Sequence, residues 1–462
     1  MPVTSAYYLI YLISAVIIYY TVGHRYRAAL LIAFSYAFYA INQSLFVLVL
    51  LASTLFNYLM CIRISKIKSY IYLIIVFNIA LLSFFKYLPK IVTGFMPTVS
   101  DGFWNSIILP VGISFFTFQA MGYALDISWK GSGKQISFKD FVLYMSFFPQ
   151  IMAGPIARSE SFTPQIKEKK TFEYNNIANG LRLILWGSFK KLVIADNLKQ
   201  YVDAVYNNPN MHSGVTIIIA TALYTFQLYC DFSGYSDIAI GSAKLFGFRL
   251  LDNFRVPLLS QSVSDFWRRW HISLSGWVRD YVNNPIQYRY RKLQKAGVII
   301  AVFITFAVIG IWHGPRWNFL LFGIIMGCSI TFELFLKDWR EKFWKIFPGC
   351  LSSILSTLLI FSLFSFSCMF LRANSTKDVF IMLSRITVNF THFYIGSSTV
   401  ILSAGLGLLL LIITEFQLRK DTFDAYISKK CISTRWSYYS ICTILILAIG
   451  ELDSGSFIYY QF

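Results

Sequence analysis

Long apolar stretches alternate with short polar ones along the whole chain. Nearly uncharged windows lie near 5–22, 27–41, 45–62, 70–85, 106–129, 215–230, 297–313, 317–336, 351–371, 398–417 and 436–450. About 20 apolar residues in a helix cross a hydrocarbon core of about 30 Å, and in lipid a helix satisfies its own backbone groups. The pattern predicts an all-α polytopic membrane protein. Basic content in the connecting loops alternates. GHRYR (23–27) has two arginines, INQS (41–44) no charge, RISKIKS (63–69) three basic residues, 86–105 two, and KGSGKQISFK (130–139) three. Cytoplasmic loops are the basic ones, so the N-terminus is expected outside the cytoplasm.

Three segments break the rhythm. FVLYMSFFPQIMAGP (141–155) is short, is interrupted by Pro149, Gly154 and Pro155, and runs back into a basic stretch. It reads as re-entrant, which requires protein or a water-filled cavity around it. Residues 175–206 place Arg182, Lys190, Lys191 and Asp196 among apolar residues, as an interfacial or buried amphipathic helix does. Residues 231–295 are too polar to face lipid and are rich in aromatics and arginine.

Composition agrees. The 462 residues are 56% hydrophobic and 14% charged, against roughly 25% charged in soluble domains, and the mean hydropathy is +0.57. The formal net charge of +19 comes from basic residues in inter-span loops, so it points to membrane topology rather than to nucleic acid. The opening MPVTSAYYLIYLISAVIIYY lacks a positive n-region and a small-residue cleavage site, and is read as a retained span. Seven scattered cysteines without CxxC spacing indicate neither a zinc site nor a disulfide framework. No repeat or linker divides the chain, which reads as a single domain, 1–462.

Polar groups at membrane depth are costly, so they are the places to look for chemistry. Three constellations qualify: YCDFSGYSDIAIGSAKLFGF (229–248), SVSDFWRRWHISLSGWVRDYV (262–282) and IGIWHGPRWNF (309–319). Of five histidines, His24, His212 and His392 sit in polar loops. His271 and His313 lie among tryptophans and arginines. The spans flanking His313 run from RYRKLQK (289–295) and to KDWREKFWK (337–345), which puts His313 at the end of a helical hairpin remote from the basic loops. Histidine exchanges a proton near neutrality, and burial beside Trp312 and Trp317 is expected to keep it neutral and basic. A base there suits proton abstraction from an extracytoplasmic hydroxyl; the bland alternative is a packed or interfacial histidine. HExxH, GxSxG and GxxxxGK[ST] are absent, as is an H-x4-D pair. A metal site is not expected.

Five motifs occur in order: PVGISFFTFQAMGYALD (110–126), FFPQIMAGPIARSESFTPQI (147–166), YCDFSGYSDIAIGSAKLFGF (229–248), NFRVPLLSQSVSDFWRRWHISLSGWVRDYV (253–282) and IGIWHGPRWNFLLFG (309–323). Together they resemble the membrane-bound O-acyltransferase family, in its bacterial alginate O-acetylation branch, which also holds peptidoglycan O-acetyltransferases. The resemblance is strong over about 100–340; the flanks, 1–99 and 341–462, match by hydropathy alone. It implies about eleven transmembrane helices and re-entrant segments around a central funnel and tunnel. It also implies acyl transfer from a cytoplasmic thioester to an acceptor outside. The family's essential histidine maps onto His313, and its second polar residue onto His271, which would orient the donor or stabilise charge on the carbonyl oxygen, or else serve as a structural hydrogen-bonding group.

Weaker candidates surround these two. Arg268, Arg269 and Arg279 hold the phosphates of coenzyme A or steady the re-entrant segment, or else are solvated or meet lipid headgroups. Asp231, Ser233 and Asp237 line the tunnel, or pair structurally with Lys244 and the arginines. Trp267, Trp270 and Trp312 shape an apolar channel, and Asn318 joins the candidate binding residues. The reading is an inner-membrane O-acetyltransferase with its N-terminus in the periplasm. It uses acetyl-CoA without a permanently bound cofactor and passes acetyl to a periplasmic esterase-like partner for O-acetylation of peptidoglycan or an alginate-like exopolysaccharide. Membrane lipids and the polysaccharide are further partners; nucleic acid is not. The alternatives are D-alanyl transfer for teichoic acid modification and a polysaccharide or lipid transporter.

Overall fold

The computed structural model describes residues 1–64, 66–95, 107–131, 135–152, 154–388 and 393–451; His392 and parts of the 86–105 and 130–139 loops lie outside them. All regular structure among the described residues is helical. Seven helical runs there are long and apolar enough to cross a membrane, and Ala6–Thr21 and Tyr70–Lys86 are shorter apolar helices. The chain packs as two compact units, residues 1–184 with 235–252, and residues 185–234 with 253–462.

The first unit holds α1 (Ala6–Thr21), α2 (His24–Gln43), α3 (Val47–Ile64), α4 (Tyr70–Lys86), α5 (Leu88–Phe95), α6 (Ile113–Lys130), α7 (Phe138–Ser146), α8 (Phe148–Ile151) and α9 (Ser159–Lys167). α2 and α3 belong to one 41-residue run, about 60 Å of helix and so about twice the hydrocarbon thickness. The backbone of Gln43 leaves the helical region there and a 3-10 turn, Ser44–Phe46, follows, which gives the two spans the hydropathy called for. The window at 106–129 is corrected: its helix starts only at Ile113, because Pro110 and the left-handed turn at Gly112 (φ +72°) precede it. The 141–155 segment is α7 and α8. Nine residues of helix reach about 14 Å, too short to cross, and the segment is buried, with the Tyr144 hydroxyl donating to the Ala157 carbonyl at 2.9 Å.

Into the second unit run α10 (Tyr174–Phe189), a π turn at Lys190–Ala195, and α11 (Asp196–Asn207) as one continuous helical stretch. The turn places Lys190 and Lys191 both inside, so this stretch takes the buried rather than the interfacial option. α12 (Gly214–Leu245) is twice as long as the window at 215–230. It continues through Asp231 because that carboxylate meets Lys191 at 2.6 Å, and Lys191 also meets Asp196 at 2.7 Å. A charge with a buried counter-ion does not end a helix.

The rest of the second unit comprises α13 (Val263–Arg269), α14 (Ile272–Val278), α15 (Asn284–Arg289), α16 (Lys295–His313), α17 (Trp317–Phe335), α18 (Lys337–Trp344), α19 (Gly349–Arg372), α20 (Thr376–Val388), α21 (Ser398–Leu418), α22 (Phe423–Ser428) and α23 (Ile432–Ile449). α16 and α17 form the expected hairpin at very close range. A Cβ on Gly310 would lie 2.4 Å from the Phe319 carbonyl oxygen, and one on Gly323 2.3 Å from that of Phe306. Small residues let membrane helices approach this closely, and the approach fixes where His313 stands.

Candidate active site

His313 is the last residue of α16. Pro315 ends the helix: it has no N–H to donate, and it disfavours helical backbone at Gly314 before it. α17 then folds back along the imidazole. The ring lies 4.8 Å from Trp312, 6.2 Å from Phe319 and 5.8 Å from Phe322, and the residue is 5% exposed. Trp312 supplies the expected burial. Trp317 does not, being 74% exposed.

His271 comes from a different segment, the junction of α13 and α14. Its backbone is left-handed, φ +42°, which is uncommon outside glycine and costs of order 1–3 kcal/mol. Bonds on both sides hold it there. Ile272 N–H donates to the Asn253 carbonyl (2.9 Å), Arg255 N–H to the Arg269 carbonyl (3.0 Å), and Ser275 N–H to the His271 carbonyl (2.9 Å). The Asn253 side-chain Oδ1 lies 3.2 Å from His271 Nδ1 and accepts from Ser273 N–H at 3.2 Å and Ser273 Oγ at 2.8 Å. Phe232 meets the imidazole edge-on at 4.5 Å, and Trp312 stands 6.2 Å away. His271 is 1% exposed and lies outside the spanning helices; burial pushes its pKa down to about 3. The ring is neutral at physiological pH.

The two histidines line one void, walled also by Trp267, Trp270, Leu274, Phe322 and Phe364. Its free volume is about 10 Å³, room for roughly one water. An acetyl thioester is much larger, so these walls must part to admit one. A second, mostly apolar void of about 210 Å³ lies along α19 and is lined by Phe226, Leu258, Phe361, Leu411 and Glu415. Tyr229, whose hydroxyl bonds the Glu415 carboxylate, packs 6.1 Å from Trp270.

The other candidates sort cleanly. Trp267 and Trp270 wall the void, and the Trp267 Nε1–H, buried there, has no partner among the described residues. Trp312 packs against both imidazoles, 6.2 Å from His271 and 4.8 Å from His313, and is not among the walls of the void. Asp231 and Ser233 make buried contacts with lysines: Asp231 pairs with Lys191, and Ser233 with Lys190 at 2.9 Å. Arg269 pairs with Asp265 (3.0 Å), Arg279 with Asp280 (2.9 Å), and Arg268 donates to the Ser264 carbonyl; none reaches the void. Asn318 is structural too, donating to the Ala373 carbonyl at 3.1 Å and accepting from Thr376 Oγ1 at 2.6 Å. His212 packs on Tyr394 at 4.9 Å, and His24 is exposed. Among the described residues no group of three or more His, Cys, Asp or Glu is placed to hold a metal ion. Sequence reasoning passed over Asn253; its only signal was a polar residue in the motif that also carries His271.

The membrane-bound O-acyltransferase family matches the chain over 124–373. A probable alginate O-acetylase of Pseudomonas aeruginosa is 35% identical over 339 residues, 68% of this chain and 62% of that protein's length. A peptidoglycan O-acetyltransferase of Helicobacter pylori is 32% identical over 386 residues, 75% of this chain and 71% of its own. A teichoic acid D-alanyltransferase of Bacillus subtilis is 26% identical over 268 residues, 56% of this chain and 67% of its own.

Proposed function

Because the chain belongs to the membrane-bound O-acyltransferase family, we propose that it is an acetyltransferase working across a bacterial inner membrane. Acetyl-CoA enters from the cytoplasm, and the acetyl group leaves on the periplasmic side. A periplasmic esterase-like partner receives it and O-acetylates an envelope polysaccharide, peptidoglycan or an alginate-like exopolysaccharide. The N-terminus is periplasmic in this scheme, as the alternation of basic loops supports.

One observation carries the reading: His271 and His313, delivered by separate segments, line the same buried void within the family-matched range. His313 takes the proton from the acceptor hydroxyl. The hydroxyl oxygen then bonds to the thioester carbonyl carbon, the carbon–sulfur bond breaks, and the departing thiolate takes the proton back from His313. An imidazole, which can both take and return a proton, is suited to both transfers. The parallel reading, D-alanyl transfer from a carrier-borne thioester, draws on the similarity to the Bacillus subtilis protein. It uses the same residues and differs in the acyl group, its donor and its acceptor. Membership in an acyltransferase family weighs against a transporter.

The test is to express wild-type chain and His313→Ala at equal membrane levels and measure base-released acetate from envelope polysaccharide. Loss of acetate in the variant is expected; retention overturns the assignment. Supplying labelled acetyl-CoA or a D-alanyl phosphopantetheine carrier to the same membranes separates the two donors.

A further inference from the structure

The Asn253 amide reveals what His271 is able to do. Three groups converge on its Oδ1: Ser273 N–H, Ser273 Oγ and His271 Nδ1. A backbone N–H only donates, so the amide atom facing Ser273 N–H is the oxygen and not the nitrogen. An amide oxygen only accepts. The His271 Nδ1 at 3.2 Å therefore carries the hydrogen. In a neutral imidazole that leaves Nε2 with a bare lone pair.

We propose that Asn253 is a positioning residue that fixes His271 as the Nδ1–H tautomer, making Nε2 a hydrogen-bond acceptor at the void. This rests on the acyltransferase reading and sharpens it. An acceptor nitrogen holds an N–H or O–H of the reacting molecules, such as the amide N–H nearest the sulfur in a pantetheine thioester. It cannot stabilise a carbonyl oxyanion, which needs a donor. Of the two catalytic roles considered for His271, orienting the donor is therefore the one this tautomer supports. The same amide also holds the left-handed turn, since its backbone carbonyl accepts from Ile272 N–H while its side chain accepts from Ser273. Ring orientation and protonation are thus set by one residue, 18 positions away in sequence.

The test is solid-state NMR of the bilayer-reconstituted protein with isotope-labelled histidine, His271 being assigned by its loss in His271→Gln. At pH 7 the expected signal is a protonated Nδ1 and an unprotonated Nε2. Asn253→Ala is expected to give a tautomer mixture and to lower kcat by up to about tenfold, the worth of one hydrogen bond, with a smaller change in KM. Asn253→Asp, which keeps the acceptor oxygen, is expected to retain the Nδ1–H form and more of the activity. An Nε2–H or doubly protonated ring in the wild type overturns the proposal, as does an Asn253→Ala protein with unchanged tautomer and kcat. Because the spectrum needs no turnover, the outcomes separate. A wrong tautomer with an inactive His313→Ala sinks this proposal alone, whereas a fully active His313→Ala sinks the acyltransferase mechanism beneath it.

Discussion

Glu333, near the end of α17, accepts the backbone N–H of Val263 at 2.5 Å and of Ser264 at 3.2 Å. One carboxylate thus caps the first turn of α13, the helix that ends beside His271, while Arg340 steadies it from behind at 3.0 Å. Helix N-termini leave donors unpaired unless something accepts them. Glu333→Ala leaves those donors unmet and is expected to cost about 1–3 kcal/mol of stability, read as a lower unfolding temperature in detergent. Acetyl transfer is expected to fall with it, because α13 carries Trp267 toward the void. Glu333→Gln, which keeps one acceptor oxygen, is expected to lie between.

The hairpin that presents His313 makes a second prediction. Gly310→Ala puts a methyl group 2.4 Å from the Phe319 carbonyl oxygen, whereas a Cβ on Gly349 meets nothing within 4 Å. The first substitution is expected to force α16 and α17 apart, lower the melting temperature and reduce activity. The second is expected to change neither. Equal melting temperatures for the two variants would show that the close approach is not needed.

Lys191 sits between two carboxylates in the interior of the second unit. Removing one partner of a buried ionic group costs about 3–5 kcal/mol, since a charge is left uncompensated. Lys191→Met is expected to destabilise by that order, and adding Asp231→Asn to recover part of the loss. Denaturant titrations of the single and double variants measure the coupling. Additive losses would contradict the arrangement.

Cys431 caps the start of α23, with Ser433 Oγ at 3.4 Å and Thr434 Oγ1 at 3.1 Å from its sulfur. Hydrogen bonds from those hydroxyls favour the thiolate and bring its pKa down to about 7. Its alkylation is therefore expected to speed up as pH rises from 6 to 8, in a protein whose other exposed cysteines, Cys328 and Cys350, are replaced by serine. Flanked by Lys429 and Lys430, it is expected on the cytoplasmic side. A membrane-impermeant maleimide should label it in inverted vesicles and not in intact spheroplasts; the reverse pattern would invert the topology.

Hydropathy alone predicted the spans well where helices are uniformly apolar, as in α16, α17 and α19. It failed where a charge is answered by a distant partner. α12 was cut at Cys230 because nothing in a local window announces that Lys191 waits beside Asp231. The arginines of 268–279 were weighed as phosphate ligands or as solvated groups. Their neighbours Asp265 and Asp280 engage Arg269 and Arg279, which one-dimensional charge counting passes over. His313 and His271 were singled out because histidine among tryptophans in apolar surroundings is rare, and because the motifs around them resemble a known family; the void they share was not readable from the sequence. Asn253 was not, since a single amide in an irregular segment has no periodicity; only three-dimensional convergence on Oδ1 reveals it.

The most direct test is acetyl-CoA turnover by purified protein in lipid nanodiscs, comparing wild type with His313→Ala and His271→Ala at matched folding. The proposed mechanism predicts slow thioester hydrolysis by the wild type, at least about a hundredfold slower in His313→Ala, consistent with the usual worth of a general base, and clearly reduced in His271→Ala. Hydrolysis at the wild-type rate in His313→Ala would contradict it.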